Sequence, residues 1–237
     1  MKYIQSKLFE PIPNVNTGKS YRAIRHEIVR KKQINNSNEV HHPTEKITQA
    51  KSILNEICGW GDLSILELFA GHGNMTRIYA DYGEVLAFEY NKKVYKNLIE
   101  NTSDLMLVKC ENVNSYIEFH KLIALKCKFD VIDLDPYGFP NRFLPDIFLL
   151  IKNGILFLTM PKPYVNILNG ITATHLTAYF GMHNPPLEII IEKIVTYGLC
   201  HWRKVELISC IDCGSIWRMA FNVQRVKATE YTGVRNR

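Results

Sequence analysis

Long apolar runs are missing from this sequence of 237 residues, of which 46% are hydrophobic and 22% are charged. Its apolar stretches, such as residues 148–151 and 155–158, are far shorter than the ~20 residues that span a bilayer. The first residues also lack the apolar segment of a signal peptide. We therefore expect a cytoplasmic globular protein without membrane contact, large enough for one domain with a sizeable core.

Cysteine is sparse, with six residues scattered along the chain, mostly within apolar patterns. This distribution is typical of free thiols in a reducing compartment. Cys210 and Cys213 form a single Cys-x-x-Cys pair, and a structural zinc site usually needs a second pair of ligands. Cys200 and His201 are the only nearby candidates for that pair. We therefore predict no metal site.

Basic residues outnumber acidic ones, 29 Lys and Arg against 23 Asp and Glu, which leaves a formal net charge of +6. Residues 1–43 are polar and irregular, and they include a predicted short helix over residues 21–32 with several basic side chains. That helix is either a solvated basic face or an arm that contacts phosphates. We predict a basic N-terminal extension over residues 1–43, one domain over residues 44–237, and a nucleic acid as partner.

Strand and helix patterns alternate after a first amphipathic helix that opens at Pro43. The predicted strands cover residues 64–69, 85–89, 105–109, 129–134 and 155–160. A predicted helix follows the first strand and ends near residue 82. The other predicted helices cover residues 92–101, 115–125, 140–152 and 185–201. Repeated strand–helix units imply an α/β fold with a parallel sheet and helices on both faces. Residues 204–211 and 216–226 predict an antiparallel hairpin, and residues 161–185 predict a long, functional connection.

A glycine-containing turn joins the first predicted strand to the next helix. Glu67 and Phe69 lie at the end of the strand, and Gly71 and Gly73 follow. Glycines here allow a tight turn and a close approach of the backbone to a ligand, while the amides that open the helix can donate hydrogen bonds. Thr76 stands where a dinucleotide-binding fingerprint would have its third glycine. We interpret Glu67, Phe69, Gly71 and Gly73 as part of a cofactor site.

Polar residues also follow the second and third predicted strands. Glu89 ends the second strand, where an acid can accept hydrogen bonds from both ribose hydroxyls of an adenosine, and Tyr90 lies beside it. After the third strand, Glu111 or Asn112 can accept a hydrogen bond from an adenine amino group, and Val113 can pack on the ring. Each residue alone is also compatible with an ordinary loop. In this order, however, the turns predict one pocket for an adenosine-containing cofactor.

The fourth predicted strand leads into a motif of acids, prolines and aromatics: Asp133-Leu134-Asp135-Pro136-Tyr137-Gly138-Phe139-Pro140. Open α/β sheets carry their chemistry at this carboxyl edge. The Asp135 carboxylate and the Pro136 carbonyl can accept hydrogen bonds from an aromatic amine and localise its lone pair for attack on a methyl group. Tyr137 can stack on the base, and we place Asp133 behind the cofactor.

The motif resembles the Asp-Leu-Asp-Pro-Phe-Gly-Ser-Pro motif of tRNA guanine-N2 dimethyltransferases. It is also similar to the Asp-Pro-Pro-Tyr motif of DNA adenine-N6 methyltransferases, whose second proline is missing here, and residues 66–76 resemble the cofactor loop of those DNA enzymes. The resemblance covers about residues 64–160. It implies a Rossmann-like class I methyltransferase that uses S-adenosylmethionine, with Asp135 as catalytic carboxylate, Tyr137 as base-stacking aromatic and Glu67 organising the cofactor loop.

The resemblance favours an N-methyltransferase that acts on an exocyclic amino group of a nucleobase. Guanine N2 in tRNA is the first candidate, and adenine N6 or cytosine N4 in DNA is the alternative. A binding protein that keeps only the cofactor pocket is a third hypothesis, against which the intact Asp135-Pro136-Tyr137 motif argues. A nicotinamide-dependent dehydrogenase is a fourth, and the predicted C-terminal hairpin argues against it.

Overall fold

The computed structural model describes residues 43–57, 63–162, 171–182 and 184–226, and its centre is a seven-stranded sheet. The strands are β1 (Leu63–Glu67), β2 (Gly83–Phe88), β3 (Val108–Glu111), β4 (Phe129–Leu134), β5 (Ile151–Pro161), β6 (Arg203–Cys213) and β7 (Ile216–Arg225). They are ordered β3-β2-β1-β4-β5-β7-β6, parallel from β3 to β5 and antiparallel where β7 joins β5 and β6. This confirms the predicted parallel sheet with a C-terminal antiparallel hairpin.

Helices pack against both faces of this sheet. They are α1 (Pro43–Ile57), α2 (Asn74–Tyr79), α3 (Lys92–Thr102), α4 (Ser115–Ala124), α5 (Ile171–Phe180) and α6 (Leu187–Cys200). Buried side chains of α1, α2 and α3 share one apolar cluster, and those of α4 and α6 share another. Within the described residues, no helix combines the length and the apolar character that a bilayer-spanning segment requires.

The two clusters lie on opposite faces of the sheet because neighbouring strand residues point in opposite directions. Ile65 and Leu66, adjacent on β1, are 1% and 0% exposed and belong to different clusters. Val131 and Ile132 divide in the same way on β4. Each fully buried aliphatic side chain contributes roughly 1.5–3 kcal/mol relative to its exposed state. This two-sided burial fixes where the central strands end, and therefore where the loops at their carboxyl edge lie.

The predicted helix over residues 140–152 is wrong. Only a 3₁₀ turn, Ile147–Leu149, forms there, and β5 already begins at Ile151. Pro145 lies in the middle of the stretch, where it lacks an amide hydrogen and disfavours the helical conformation of the residue before it. Ile151 pairs with Phe129 of β4, so the sheet takes the residue that a longer helix would have used.

The stretch 161–185, predicted as a connection, contains helix α5. Its apolar residues do not recur in a single helical stripe, which is why the pattern did not indicate a helix. Tertiary packing provides the missing reason. The rings of Tyr179 and Phe180 lie 5.5 and 5.9 Å from the ring of Phe139, which belongs to the motif after β4. Helix α5 therefore packs on the loop that carries the predicted catalytic residues.

The predicted N-terminal extension and its helix over residues 21–32 lie outside the described residues, apart from Pro43. That part of the sequence analysis remains a prediction.

Candidate active site

The loops that carry the predicted site residues meet at the carboxyl edge of the sheet. The amide of Ala70, after β1, donates to the Phe88 carbonyl at 2.9 Å, and the amide of Glu89, after β2, donates to the Glu111 carbonyl at 3.1 Å. These bonds tie the first three loops to one another beyond the ends of their strands. The arrangement is the one that the strand–loop order of the sequence predicts.

Gly71 and Glu89 form the centre of this edge. Gly71 has a left-handed backbone conformation, φ +56°, and its amide donates to Glu89 Oε2 at 3.1 Å. The amide of Asn91 donates to Glu89 Oε1 at 2.6 Å. Both carboxylate oxygens are thus held by the backbone, and each retains a lone pair for a further hydrogen bond. No atom lies within 4 Å of where a Cβ of Gly71 would be, so the space beside this turn is open.

A cleft of about 420 Å³ opens next to Glu89. Its lining consists of Tyr90, Asn91, Lys92, Asn112, Val113 and Asn114. Asn112 joins its two sides, because its Nδ2 donates to the carbonyls of Glu89 at 2.8 Å and of Tyr90 at 3.1 Å. Tyr90, Asn112 and Val113 were all predicted to contact an adenosine, and the structure brings them together in one wall.

Gly73 has a structural role in addition to the predicted cofactor contact, which remains a prediction. A Cβ on Gly73 would lie 2.8 Å from Leu98 Cδ1 and 3.3 Å from Thr102 Cγ2, both on α3. Its φ of +87° is also a conformation that favours glycine. The missing side chain of Gly73 therefore makes room for helix α3, whereas the open space for a ligand lies beside Gly71.

Glu67 is buried under the glycine turn, 3% exposed, and Thr76 Oγ1 donates to its Oε2 at 2.6 Å. Burial, with a smaller contribution from the charge of Asp133, raises the pKa of Glu67 well above its usual value. The residue that replaces the third glycine of the dinucleotide fingerprint thus has a structural purpose here. Thr76 fixes the acid that supports the turn.

Asp133 belongs to a buried network and not to the rim of the cleft. It is 1% exposed, and its two carboxylate oxygens accept hydrogen bonds from Arg218 at 2.7 and 2.6 Å. Tyr79 Oη donates to Asp133 Oδ2 at 2.6 Å. Arg218 is itself 0% exposed. Burial lowers the pKa of Arg218, but the charge of Asp133 outweighs burial, so this pKa lies above its usual value. A role of Asp133 in cofactor binding, which remains a prediction, would therefore be indirect.

Two other predicted cofactor residues also make their contacts away from the cleft lining. The ring of Phe69 lies 5.5 Å from that of Phe143, edge to face, at the border of the core. Glu111 Oε1 pairs with Lys109 Nζ at 2.6 Å. Their direct contact with a cofactor remains a prediction.

Asp135 forms an ion pair with Lys46 of α1. Lys46 Nζ lies 2.5 Å from Asp135 Oδ2, and the two side chains are 7% and 25% exposed. Burial opposes ionisation of Asp135, but the charges of Lys46 and Arg218 and hydrogen bonds from Lys46 and Thr159 outweigh it, so the pKa of Asp135 lies below its usual value. The site therefore presents an ionised carboxylate after β4.

Tyr137 and Gly138 form an exposed platform, whereas Pro140 at the end of the motif is buried. Tyr137 is 69% exposed, and Gly138 follows it with φ +119°, a conformation that turns the chain sharply. Phe139 then packs on α5. The structure thus places an ionised carboxylate and an accessible aromatic ring two residues apart, a combination suited to binding a planar base with an amino group.

Sequence reasoning missed Lys46 and Arg218. Lys46 lies on the buried stripe of α1 with Ala50 and Ile53, so a charged residue within an apolar stripe was the available signal. Arg218 similarly interrupts the apolar run of β7. Their partners are 89 and 85 residues away in sequence, so no local pattern identified them.

A protein-family model, described as TRM: N2,N2-dimethylguanosine tRNA methyltransferase, matches residues 6–194. No curated protein matches the sequence. Among solved structures, Trm1 from Pyrococcus horikoshii in complex with S-adenosyl-L-methionine is similar, with a TM-score of 0.56 and 16% identity over 69% of this chain and 51% of that one. Trm5b from Pyrococcus abyssi has a TM-score of 0.55 and 16% identity over 76% of this chain and 48% of that one.

The fibrillarin pre-rRNA processing protein of Methanococcus jannaschii is also similar, with a TM-score of 0.51 and 16% identity over 69% of this chain and 67% of that one. Identities this low establish the fold alone, and they support the predicted Rossmann-like methyltransferase architecture. The chain spans about half the length of the two Pyrococcus structures.

Proposed function

Because the chain belongs to the N2,N2-dimethylguanosine tRNA methyltransferase family, we propose that it methylates the exocyclic N2 amino group of a guanosine in tRNA. The observation that carries this proposal is the ionised Asp135 at the sheet edge that also carries the cleft beside Glu89. An acceptor carboxylate and an adenosine-sized cleft on one edge are the two parts that such a reaction needs.

The cleft and the glycine turn fit S-adenosylmethionine as the cofactor. Glu89, with both oxygens held by amides, would accept hydrogen bonds from the ribose hydroxyls, and the wall formed by Tyr90, Asn112 and Val113 would hold the adenine. The open space beside Gly71 admits the remainder. When bound, S-adenosylmethionine would supply a sulfonium methyl group to the amine nitrogen, with the thioether S-adenosylhomocysteine as the leaving group.

Asp135 and Pro136 act on the amine. An exocyclic amine is a poor nucleophile because its lone pair is delocalised into the ring. Hydrogen bonds from the amino group to the Asp135 carboxylate and the Pro136 carbonyl localise that lone pair and orient it, which is catalysis by positioning. The methylated nitrogen then loses a proton, which ionised Asp135 accepts and passes to water. Tyr137 stacks on the base, a contact worth about 1–3 kcal/mol.

RNA is the proposed partner. The family supports tRNA, and the net charge of +6 is compatible with a polyanion. The basic residues 1–43 are proposed to add phosphate contacts, and the protein is proposed to act in the cytoplasm. Methylation of DNA, the alternative that the Asp-Pro-Tyr motif raised, has no supporting observation of its own and is decided by the experiment below.

The test incubates the protein and methyl-labelled S-adenosylmethionine with unmodified tRNA, rRNA and duplex DNA, followed by mass spectrometry of the nucleosides. We expect N2-methylated guanosine from tRNA only. Asp135→Asn should abolish the product while retaining the affinity for S-adenosylhomocysteine, whereas Asp81→Asn, at an exposed acid, should behave like the parent. Methylated adenine or cytosine in DNA, or product from the Asp135 variant at the parent rate, would refute the proposal.

A further inference from the structure

Lys46 is held over the site by a rigidly anchored helix. Gln49, three residues after Lys46 on α1, donates through Nε2 to Ser209 Oγ at 2.9 Å and to the Arg218 carbonyl at 3.2 Å. Ala50 and Leu54 of the same helix are 0% exposed. Helix α1 is thus fixed to β6 and β7 by polar and apolar contacts. Lys46 is consequently placed by the fold, unlike a surface lysine that samples many rotamers.

The Lys46 ammonium has lost most of its contact with water. The whole residue is 6% exposed, and its partner in the structure is Asp135 Oδ2, at 2.5 Å. Removing a charge from water is unfavourable unless a well-placed opposite charge replaces the lost hydration. Stability alone therefore does not explain a buried lysine at this position, since an apolar side chain would fill the buried stripe of α1 without the cost of removing a charge from water.

Arg218, a second buried cation that acts on Asp135, cannot replace Lys46. Arg218 directs both terminal nitrogens at Asp133, at 2.7 and 2.6 Å, and also donates to Thr159 Oγ1 at 2.9 Å. Its effect on Asp135 is that of a nearby charge without a direct bond. Lys46 is thus the cation in direct contact with the carboxylate on which the proposed reaction depends.

We propose that Lys46 is a positioning residue that orients the Asp135 carboxylate and keeps it ionised for the acceptor amine. The proposal rests on the proposed function and deepens it. Lys46 acts through Asp135 and need not touch the base. An ionised carboxylate accepts the hydrogen bond of the amine and, after methyl transfer, the proton of the amine. A protonated carboxyl group is a poorer acceptor of both.

Charged or titratable groups on several elements lie around this pair. They include Glu45 on α1, Glu67 on β1, Asp133 on β4, Cys213 on β6 and Arg218 on β7. Burial is the largest influence on Asp135 and favours its neutral form; Lys46 and Arg218 oppose it. Removing the Lys46 charge therefore raises the pKa of Asp135, so that the carboxylate protonates at a higher pH than in the parent.

The test compares Lys46→Met, which keeps the length without the charge, with Lys46→Arg, which keeps the charge. Lys51→Met, at an exposed lysine of the same helix, is the matched control. At neutral pH, where Asp135 stays ionised, we expect Lys46→Met to lower kcat for tRNA by about tenfold or more, because the carboxylate loses the contact that orients it. The tRNA KM and the affinity for S-adenosylhomocysteine should change much less. The acidic limb of the pH–activity profile of Lys46→Met should move upward by about one pH unit or more. Lys46→Arg should recover most of the kcat and most of the shift in pH.

A direct titration keeps the idea testable whatever the activity. Protein with isotope-labelled aspartate carboxyls is titrated by NMR, and the Asp135 resonance is assigned by its absence in Asp135→Asn. A higher midpoint in Lys46→Met, or in Lys46→Gln should the methionine variant not fold, supports the proposal. An Asp135 midpoint and an acidic limb equal to those of the parent would overturn it. If the parent methylates no tRNA guanine, the proposed function fails, while this titration still decides the role of Lys46.

Discussion

Replacing Arg218 with methionine should destabilise the protein more than any surface change. Methionine approximates the length of the arginine stem but removes the guanidinium that binds both oxygens of Asp133. With Asp133 1% exposed, an unpaired carboxylate would remain in the core. Removing one partner of a buried ion pair typically costs about 3–5 kcal/mol. The expected loss in the free energy of unfolding is therefore of that order, measured by urea denaturation followed by circular dichroism.

A double-mutant cycle shows whether the cost comes from the pair. Asp133→Asn in the Arg218→Met background removes the stranded charge, so the double variant should be more stable than the sum of the two single losses, by about 1–3 kcal/mol. Arg225→Met, at an exposed arginine of the same strand, should stay within about 0.5 kcal/mol of the parent. A loss below about 1 kcal/mol for Arg218→Met, or strict additivity in the cycle, would refute the reasoning.

Three further predictions concern the turn, the platform and the buried acid. Gly73→Val should lower the melting temperature even without ligand, because its Cβ would meet Leu98 at 2.8 Å and its φ of +87° is strained for valine; a melting temperature like the parent's would contradict this. Tyr137→Ala should lower kcat/KM for tRNA about 5- to 150-fold while Tyr137→Phe retains it, as stacking predicts; equal losses would indicate that the hydroxyl matters instead. Glu67→Gln should remove the contribution of Glu67 to the pH dependence of the free energy of unfolding. Because the pKa of Glu67 is raised in the folded protein, its favourable contribution to stability is complete below the unfolded pKa of about 4.5 and is lost as pH rises toward the folded pKa. The stability of the glutamine variant relative to the parent should therefore increase as pH rises above about 4.5. A stability difference that does not change with pH would count against this.

Local patterns were sufficient for the central sheet because its strands are buried on both faces. Runs such as the one around Ile132 are apolar, short and bounded by turns, and each was predicted within a few residues of its observed limits. The order of the glycine turn, Glu89 and Asn112 then followed from parallel topology, which places the ends of consecutive strands on one edge.

The failures of prediction have a common physical origin in contacts between distant segments. Residues 140–152 do not form a helix because Pro145 disfavours one and because Ile151 pairs with Phe129 of β4 in the sheet. Helix α5 is stabilised by its packing on Phe139. Neither effect appears in the periodicity of the segment itself, because tertiary contacts override weak local preference.

The electrostatics of the site were the least accessible to sequence reasoning, and they connect the terminal elements of the described fold to its centre. Glu67, Asp133 and Asp135 come from neighbouring strands and would repel one another if all were ionised without compensation. The cations that oppose this come from α1 and β7, on either side of the Rossmann-like core in sequence. With Arg218 bound to Asp133 and Glu67 inclined to hold its proton, Lys46 is left for Asp135. Helix α1 and the C-terminal hairpin therefore not only bury apolar surface but also supply the cations that pair with Asp135 and Asp133. Of these two carboxylates only Asp135, 25% exposed against 1% for Asp133, is accessible for the proposed role toward a substrate.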